Sequence, residues 1–355
     1  MKLKVSDIRV LNLEITSYCN IQCPQCSRTN EDGKLASYVN LEHWDSELIL
    51  SNLEIDQMTN LNFVNIEGDT GDALMHPDIE NIVDKLYNSP NKPKIIILTH
   101  GAIRSTSWWE SFGSKFKDRL SVQFSIDGLE DTHKLYRVGA DYNKVIANVK
   151  SFIKGGGYAT SRCLVFKHNQ HQLDQIAEVS RTLGFQCFKF LPGDTSRYRG
   201  QDHWKVYENG KFTHIIEPTS IDNFDKWKWG PHELWNKYSQ PTIYNDVICS
   251  NLKKGDIQIT YKGHIIPCCM YNADLYFDHP LNDPFQKLAG NIDQFDANKQ
   301  KLSDILSHSY FDRLEETLAK GRDPGRCGDM CPHLNLKREK IYFIPAQQDL
   351  IICRK

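Results

Sequence analysis

No stretch of eighteen consecutive apolar residues occurs in this chain, and its opening, MKLKVSDIRVLNLEI, has no apolar run followed by a small-residue cleavage site. The first absence excludes a membrane-spanning helix, and the second sets the expectation of a soluble, cytoplasmic protein. A surplus of either charge is missing as well: 43 Lys and Arg stand against 45 Asp and Glu, a net charge of -2. That balance gives no general attraction for a phosphate backbone or an anionic surface, so nucleic acid is a disfavoured partner and no membrane partner is expected. Low-complexity tracts and repeats of solenoid length are also wanting. What remains is a globular chain of 355 residues, long enough for one large domain and a smaller one.

Cysteine, by contrast, is plentiful. There are eleven, an odd number, so a complete set of intrachain disulfides cannot use them all, and reduced cysteines in such number point to metal. Cys19, Cys23 and Cys26 lie near the start, Cys163 and Cys187 in the middle, and Cys249, Cys268, Cys269, Cys327, Cys331 and Cys353 in the last third.

Over the first two hundred residues a short strand-like run followed by an amphipathic stretch recurs, which argues for a parallel sheet with crossover helices. Strands are expected at Leu11 to Thr16, Asn62 to Glu67, Ile95 to Thr99, Ser121 to Ile126, Cys163 to Lys167 and Cys187 to Leu191. Six such units predict an α/β fold, a partial (β/α)6 TIM-like barrel over residues 1–192. Two strands alternate: Asn12, Glu14 and Thr16 oppose Leu11, Leu13 and Ile15, and Gln123, Ser125 and Asp127 oppose Val122, Phe124 and Ile126. A parallel strand is apolar towards its helices, so the polar faces look into a lumen and imply a polar ligand. An edge strand with one face in water is the alternative for either strand taken alone. Residues 193–245, with Trp204, Trp227, Trp229 and Trp235, read as an irregular bridge. Residues 246–355 read as a small α+β domain that opens with a hairpin, DIQITYKGHIIPCC, turned at Lys262 and Gly263.

Cys19, Cys23 and Cys26 form C-x3-C-x2-C just beyond the first strand, a spacing that lets three thiolates converge on one small object. Four thiolates would close a structural zinc or ferredoxin-type site, whereas three leave a position open. Zinc would need a fourth Cys or His nearby, and none lies between Cys26 and His43.

The segment TSYCNIQCPQCSR resembles the hallmark of the radical S-adenosylmethionine (SAM) superfamily. Three further segments are similar to that superfamily in the same order: IEGDTGDALMHPDI, with Gly71 and Asp72 where Gly-Glu is usual; LTHG from Leu98 to Gly101; and SIDGLEDTHKLYRVG from Ser125 to Gly139. Gln25 stands where an aromatic residue is usual. The resemblance implies a [4Fe-4S] cluster on Cys19, Cys23 and Cys26, with SAM chelated at the open iron. It implies one-electron cleavage of SAM to methionine and a 5'-deoxyadenosyl radical that abstracts hydrogen from substrate, with the protein binding, orienting and excluding water. Gly68, Gly71, Asp72 and Thr99 then fall in the methionine-binding segments. Ser125 and Asp127 become candidates for the ribose or substrate, and Arg137 for a carboxylate. His76 and Pro77 read as structural, at the start of a helix.

The last cysteines resemble the SPASM or twitch auxiliary-cluster extension. The full form needs seven cysteines and six are present, so one auxiliary [4Fe-4S] cluster on Cys249, Cys268, Cys327 and Cys331 is expected, an electron relay; Cys353 or Cys269 replacing one of them is the alternative. Cys163 and Cys187 read as buried hydrophobes. Lys189, on the strand face of Cys187, is a candidate to bind an acidic substrate group. A peptide or small-molecule substrate and a reducing partner such as flavodoxin or ferredoxin are implied, and no leader-peptide-binding module precedes the first strand, which lowers the peptide branch. The opposing class is a zinc-stabilised binding protein without catalysis.

Overall fold

A computed structural model describes residues 3–193, 203–229, 249–267 and 290–319. The six expected strands are present: β1 (Val10–Leu13), β2 (Phe63–Ile66), β3 (Lys94–Thr99), β4 (Leu120–Ser125), β5 (Tyr158–Val165) and β6 (Cys187–Pro192). They pair in parallel and in chain order. Between and after them run α1 (Ser46–Asn52), α2 (Ile79–Tyr87), α3 (Thr106–Phe116), α4 (Glu130–Tyr136), α5 (Tyr142–Lys154) and α6 (Leu173–Leu183). β5 starts at Tyr158 rather than Cys163, because the glycines at 155–157 end α5 abruptly, Gly156 at φ +88°, and let pairing resume at once.

Local chemistry explains the helix ends. Asp45, Ser105 and Asp141 each accept a bond from a backbone N–H in the first turn of α1, α3 and α5, which satisfies a donor that the helix leaves open. α6 closes at Gly184 in the left-handed region, φ +88°. Ile79, Ile82, Val83 and Leu86 form the buried stripe of α2, the spacing of a helix with one face on a sheet.

The hairpin expected after residue 255 forms, with Gly263 at φ +85° in its turn. Its strands, β9 (Asp256–Ile259) and β10 (Ile265–Ile266), join the main sheet: β9 runs parallel to β1, with Leu11 beside Ile257 and Leu13 beside Ile259. The sheet order is β10-β9-β1-β2-β3-β4-β5-β6, an open α/β sheet, parallel except for β10. α8 (Leu302–Leu306), which follows α7 (Ser250–Lys254), buries Leu302, Ile305 and Leu306 in the same core.

The stretch expected to be irregular contains a second hairpin, β7 (Trp204–Glu208) and β8 (Lys211–Ile216). Asn209 and Gly210 turn it with φ +51° and +74°. Positive φ at both central residues is the type I′ geometry that matches strand twist, and Asn-Gly is its usual sequence. That dipeptide was the available signal. The hairpin docks on the main sheet's loops: His214 Nε2 lies 3.0 Å from the Leu135 carbonyl, and Tyr207 fills the space where a side chain at Gly33 would point.

The principal core lies between the outer face of the sheet and its helices. Trp109, Phe112 and Phe116 of α3 meet Phe124 of β4 and Phe152 of α5, with Trp109 5.2 Å from Phe124 and 5.6 Å from Phe152 between ring centres. A smaller core of Cys163, Val165, Leu173, Ile176, Phe188 and Phe190 covers the outer side of β5 and β6. Among the described residues, no helix is long and apolar enough to cross a membrane.

Candidate active site

β1 ends at a loop folded tightly enough to bring Cys19, Cys23 and Cys26 together. The Thr16 hydroxyl accepts from Tyr18 N–H at 3.0 Å, and the Ser17 hydroxyl donates to the Asn40 carbonyl at 2.5 Å. Cys26 N–H bonds the Cys23 carbonyl at 3.1 Å and Thr29 N–H the Cys26 carbonyl at 2.9 Å, two successive turns that set the spacing of the last two cysteines. Arg28 donates to the Cys19 carbonyl at 3.0 Å, and Gln22 N–H to the Val138 carbonyl at 2.9 Å ties the loop to the segment after α4. Gln25, in the position where an aromatic is usual, is bonded by the Tyr136 hydroxyl at 3.2 Å. Beside the loop opens a cleft of about 630 Å³ lined by Cys19, Arg28, Lys134 and Asn209 among others.

Burial raises the pKa of all three thiols: Cys26 to about 11, Cys19 further still with Asp72 nearby adding to the rise, and Cys23 against the opposing pull of Arg137. Such thiols keep their protons until a metal displaces them. Arg137 Nη1 approaches Cys23 Sγ at 3.5 Å, while its Nε donates at 2.5 Å to Asp127, a wholly buried carboxylate. The second oxygen of Asp127 accepts from Leu164 N–H at 2.6 Å. Asp127 and Arg137 therefore meet each other, and the pair delivers a guanidinium to a cysteine sulfur. Breaking a buried pair of this kind costs about 3–5 kcal/mol, because one charge is left alone.

The glycine-rich segment after β2 packs against the cysteine loop. Asp72 N–H bonds the Tyr18 carbonyl at 2.8 Å. A Cβ at Gly71 would sit 2.2 Å from the Thr16 carbonyl oxygen, and one at Gly68 2.3 Å from that of Gly71, so both positions take glycine because the chain approaches itself there. The buried Asp72 carboxylate accepts from the Thr99 hydroxyl at 2.9 Å, His100 N–H at 2.9 Å and Leu74 N–H at 3.0 Å. It is the staple that fastens the end of β3 beside the cysteines. His76 is structural, accepting from Asp78 N–H at 3.1 Å at the start of α2.

The inner face of the sheet carries the polar residues. Asn65 donates to Asn12 at 2.7 Å, Glu14 accepts from Asp69 N–H at 2.9 Å, and Gln123, Ser125 and Asp127 are all buried. Glu67 on the same face as Asn65, and Arg162 on β5, were not singled out from the sequence, although period-two alternation places each of them inward. Arg162 senses Arg137, Asp127 and Glu67 across the lumen, and burial lifts the Glu67 carboxyl to about 8. Lys189 is buried beside Arg162 in register.

Cys163 is a buried free thiol in the outer core, whereas Cys187 is disulfide-bonded, so the expectation of two unpaired buried hydrophobes holds for Cys163 alone. Cys249 is half-buried at the N-terminus of α7, just before β9. Cys268, Cys269, Cys327, Cys331 and Cys353 lie outside the described residues. His264, Asp293 and Asp296 gather within 4.8 Å, but Lys299 already bridges both carboxylates, at 2.9 and 3.3 Å.

No family model matches the chain. A curated relative, "Probable GTP 3',8-cyclase" of Methanocaldococcus jannaschii, is 24% identical over 283 residues, covering 76% of this chain and 87% of that protein. Among solved structures, anSMEcpe with bound AdoMet has a TM-score of 0.54 at 15% identity, covering 88% of this chain and 80% of that one. Streptococcus suis SuiB bound to the precursor peptide SuiA has a TM-score of 0.56 at 13% identity, covering 87% of this chain and 67% of that one. These structures share the fold. Four motifs in order before residue 140, the parallel sheet whose ends they occupy and the cyclase relatives make this chain similar to the radical SAM enzymes.

Proposed function

We propose that Cys19, Cys23 and Cys26 hold a [4Fe-4S] cluster with one iron open to SAM, and that the chain abstracts hydrogen from a substrate in the lumen beneath it. The observation that carries this reading is a three-cysteine loop at the end of β1, with Arg137 turned to Cys23 and a polar lumen below. The donor set fits the group. Cys19 feels the charges of Cys23 and Cys26, and Cys26 that of Cys23, so three sulfurs share one site and leave a fourth position open, where a structural zinc would close with four ligands. When bound, the cluster supplies the electron that cleaves SAM to methionine and a 5'-deoxyadenosyl radical.

The chain's own residues do the rest. Arg137 and Arg28 place positive charge beside thiolates that burial disfavours. Asp72 and Thr99 fix the segment that would line the methionine part of SAM, with Gly68 and Gly71 allowing the loops to close on each other. Ser125 remains the nearest candidate for the ribose. An auxiliary [4Fe-4S] cluster on Cys249, Cys268, Cys327 and Cys331, in a twitch- or SPASM-like unit over 246–355 that follows the barrel (1–192) and bridge (193–245), would relay an electron. Flavodoxin or ferredoxin would supply the first one, in the cytoplasm. The substrate is a peptide or a small molecule: relatives are named for GTP cyclisation, and a structural neighbour holds a precursor peptide.

Anaerobic incubation with SAM and a strong reductant, followed by mass spectrometry for 5'-deoxyadenosine, tests the reading. Cys23→Ala is expected to abolish that product, and Cys327→Ala to spare it while losing substrate turnover. Deoxyadenosine from Cys23→Ala, or none from wild-type protein with a full cluster complement, would refute it.

A further inference from the structure

Below the cysteine loop, the lumen holds polarity that the function proposed above leaves unused. Gln123 of β4 is wholly buried, and neither its amide nitrogen nor its amide oxygen has a hydrogen-bond partner. Its register partner on β5, Thr160, is equally buried with an unpartnered hydroxyl. Both aim inward, since Val122 and Phe124 on one strand and Cys163 and Val165 on the other sit in the outer cores. One step further along the strands comes the row Ser125, Arg162 and Lys189. Arg162, half-buried, and Lys189, buried, are adjacent, and like charges side by side in a sheet repel.

Two cations set over an amide and a hydroxyl form a surface complementary to an oxyanion. We infer that the β4–β6 side of the lumen binds a carboxylate or phosphate group of the substrate, with Lys189 supplying charge and Gln123 and Thr160 hydrogen bonds. The inference rests on the function proposed above and names the substrate class for it. Glu67, held largely protonated at neutral pH by its burial, does not cancel the cations from the opposite wall. A buried amide without a partner costs about 1–3 kcal/mol, a penalty that a bound oxyanion relieves.

Anaerobically reconstituted holoenzyme with SAM bound is titrated with inorganic phosphate and, separately, with acetate, and the heat of binding is followed. Saturable binding is expected: phosphate alone marks a phosphoryl-bearing substrate, acetate alone a carboxylate, and both an oxyanion site open to either. Lys189→Met is expected to weaken the anion about tenfold or more, the scale of a hydrogen bond to a charged group. Lys189→Arg is expected to keep binding, and Thr160→Val to weaken it about threefold. Melting temperatures accompany each variant, and should Lys189→Met fail to fold, Thr160→Val decides. No saturable binding by wild-type protein, or binding unchanged in these variants, overturns the inference. Deoxyadenosine formation by the same wild-type preparation separates the two ideas: present without anion binding, it removes this inference alone; absent, it removes the function beneath it.

Discussion

The two faces of the same sheet obey different rules. Outward, Val122 and Phe124 of β4 and Phe188 and Phe190 of β6 close into aromatic and aliphatic cores with little polar content. Inward, one residue away along each strand, lie Gln123, Ser125 and Lys189, also buried, with Arg162 half-buried among them. Equal burial thus has opposite energetic meaning: apolar area removed from water stabilises the fold, while a buried amide or charge costs stability unless it is matched. The outer face holds the sheet together, and the inner face keeps the Gln123 amide and the Thr160 hydroxyl buried without a hydrogen-bond partner. Stability given up at a functional site in this way is the usual trade.

The contrast can be broken in stages. Phe124→Ala on the outer face should lose about 3–5 kcal/mol by leaving a cavity against Trp109 and Phe152, read by denaturant unfolding; a loss under about 1 kcal/mol would show that the outer core is not what holds the sheet. Glu67→Gln on the inner face should flatten the pH dependence of stability. The folded carboxyl titrates near 8, above its unfolded value near 4.3, so the folded state binds more protons between those values and wild-type stability falls as pH rises. Between about pH 5 and pH 7 the fall from this group is about 2.5 kcal/mol, and melting curves at the two values should diverge for wild type and converge for the variant. Smallest, Gln123→Leu should raise stability by about 1 kcal/mol, or on the order of 2 °C in Tm, as no outer-face substitution by a smaller residue would. A drop in Tm would show the amide to be matched.

Much of this was legible from residue order. The six parallel strands follow from short apolar runs separated by amphipathic stretches, and the inner polarity of β1 and β4 from strict alternation at Asn12, Glu14, Gln123 and Ser125. Glu67 escaped because its strand was read as a unit rather than residue by residue, and Arg162 because the strand was expected to begin only at Cys163, whereas β5 begins at Tyr158. The β7–β8 hairpin escaped because tryptophans and charges masked the Asn209-Gly210 turn.

Chemistry carried by spacing within one segment was fixed by the sequence itself: the C-x3-C-x2-C loop, the glycines after β2, the helix caps and the hairpin at Gly263 all depend on backbone geometry over a few residues. Tertiary structure alone decided that β9, from the last third of the chain, lies beside β1, that Arg137 spends its charge on Asp127 and Cys23, and that Arg162 and Lys189 share a wall. Those pairings join residues from separate strands and loops. Their energies depend on distance and burial, which only the folded sheet sets.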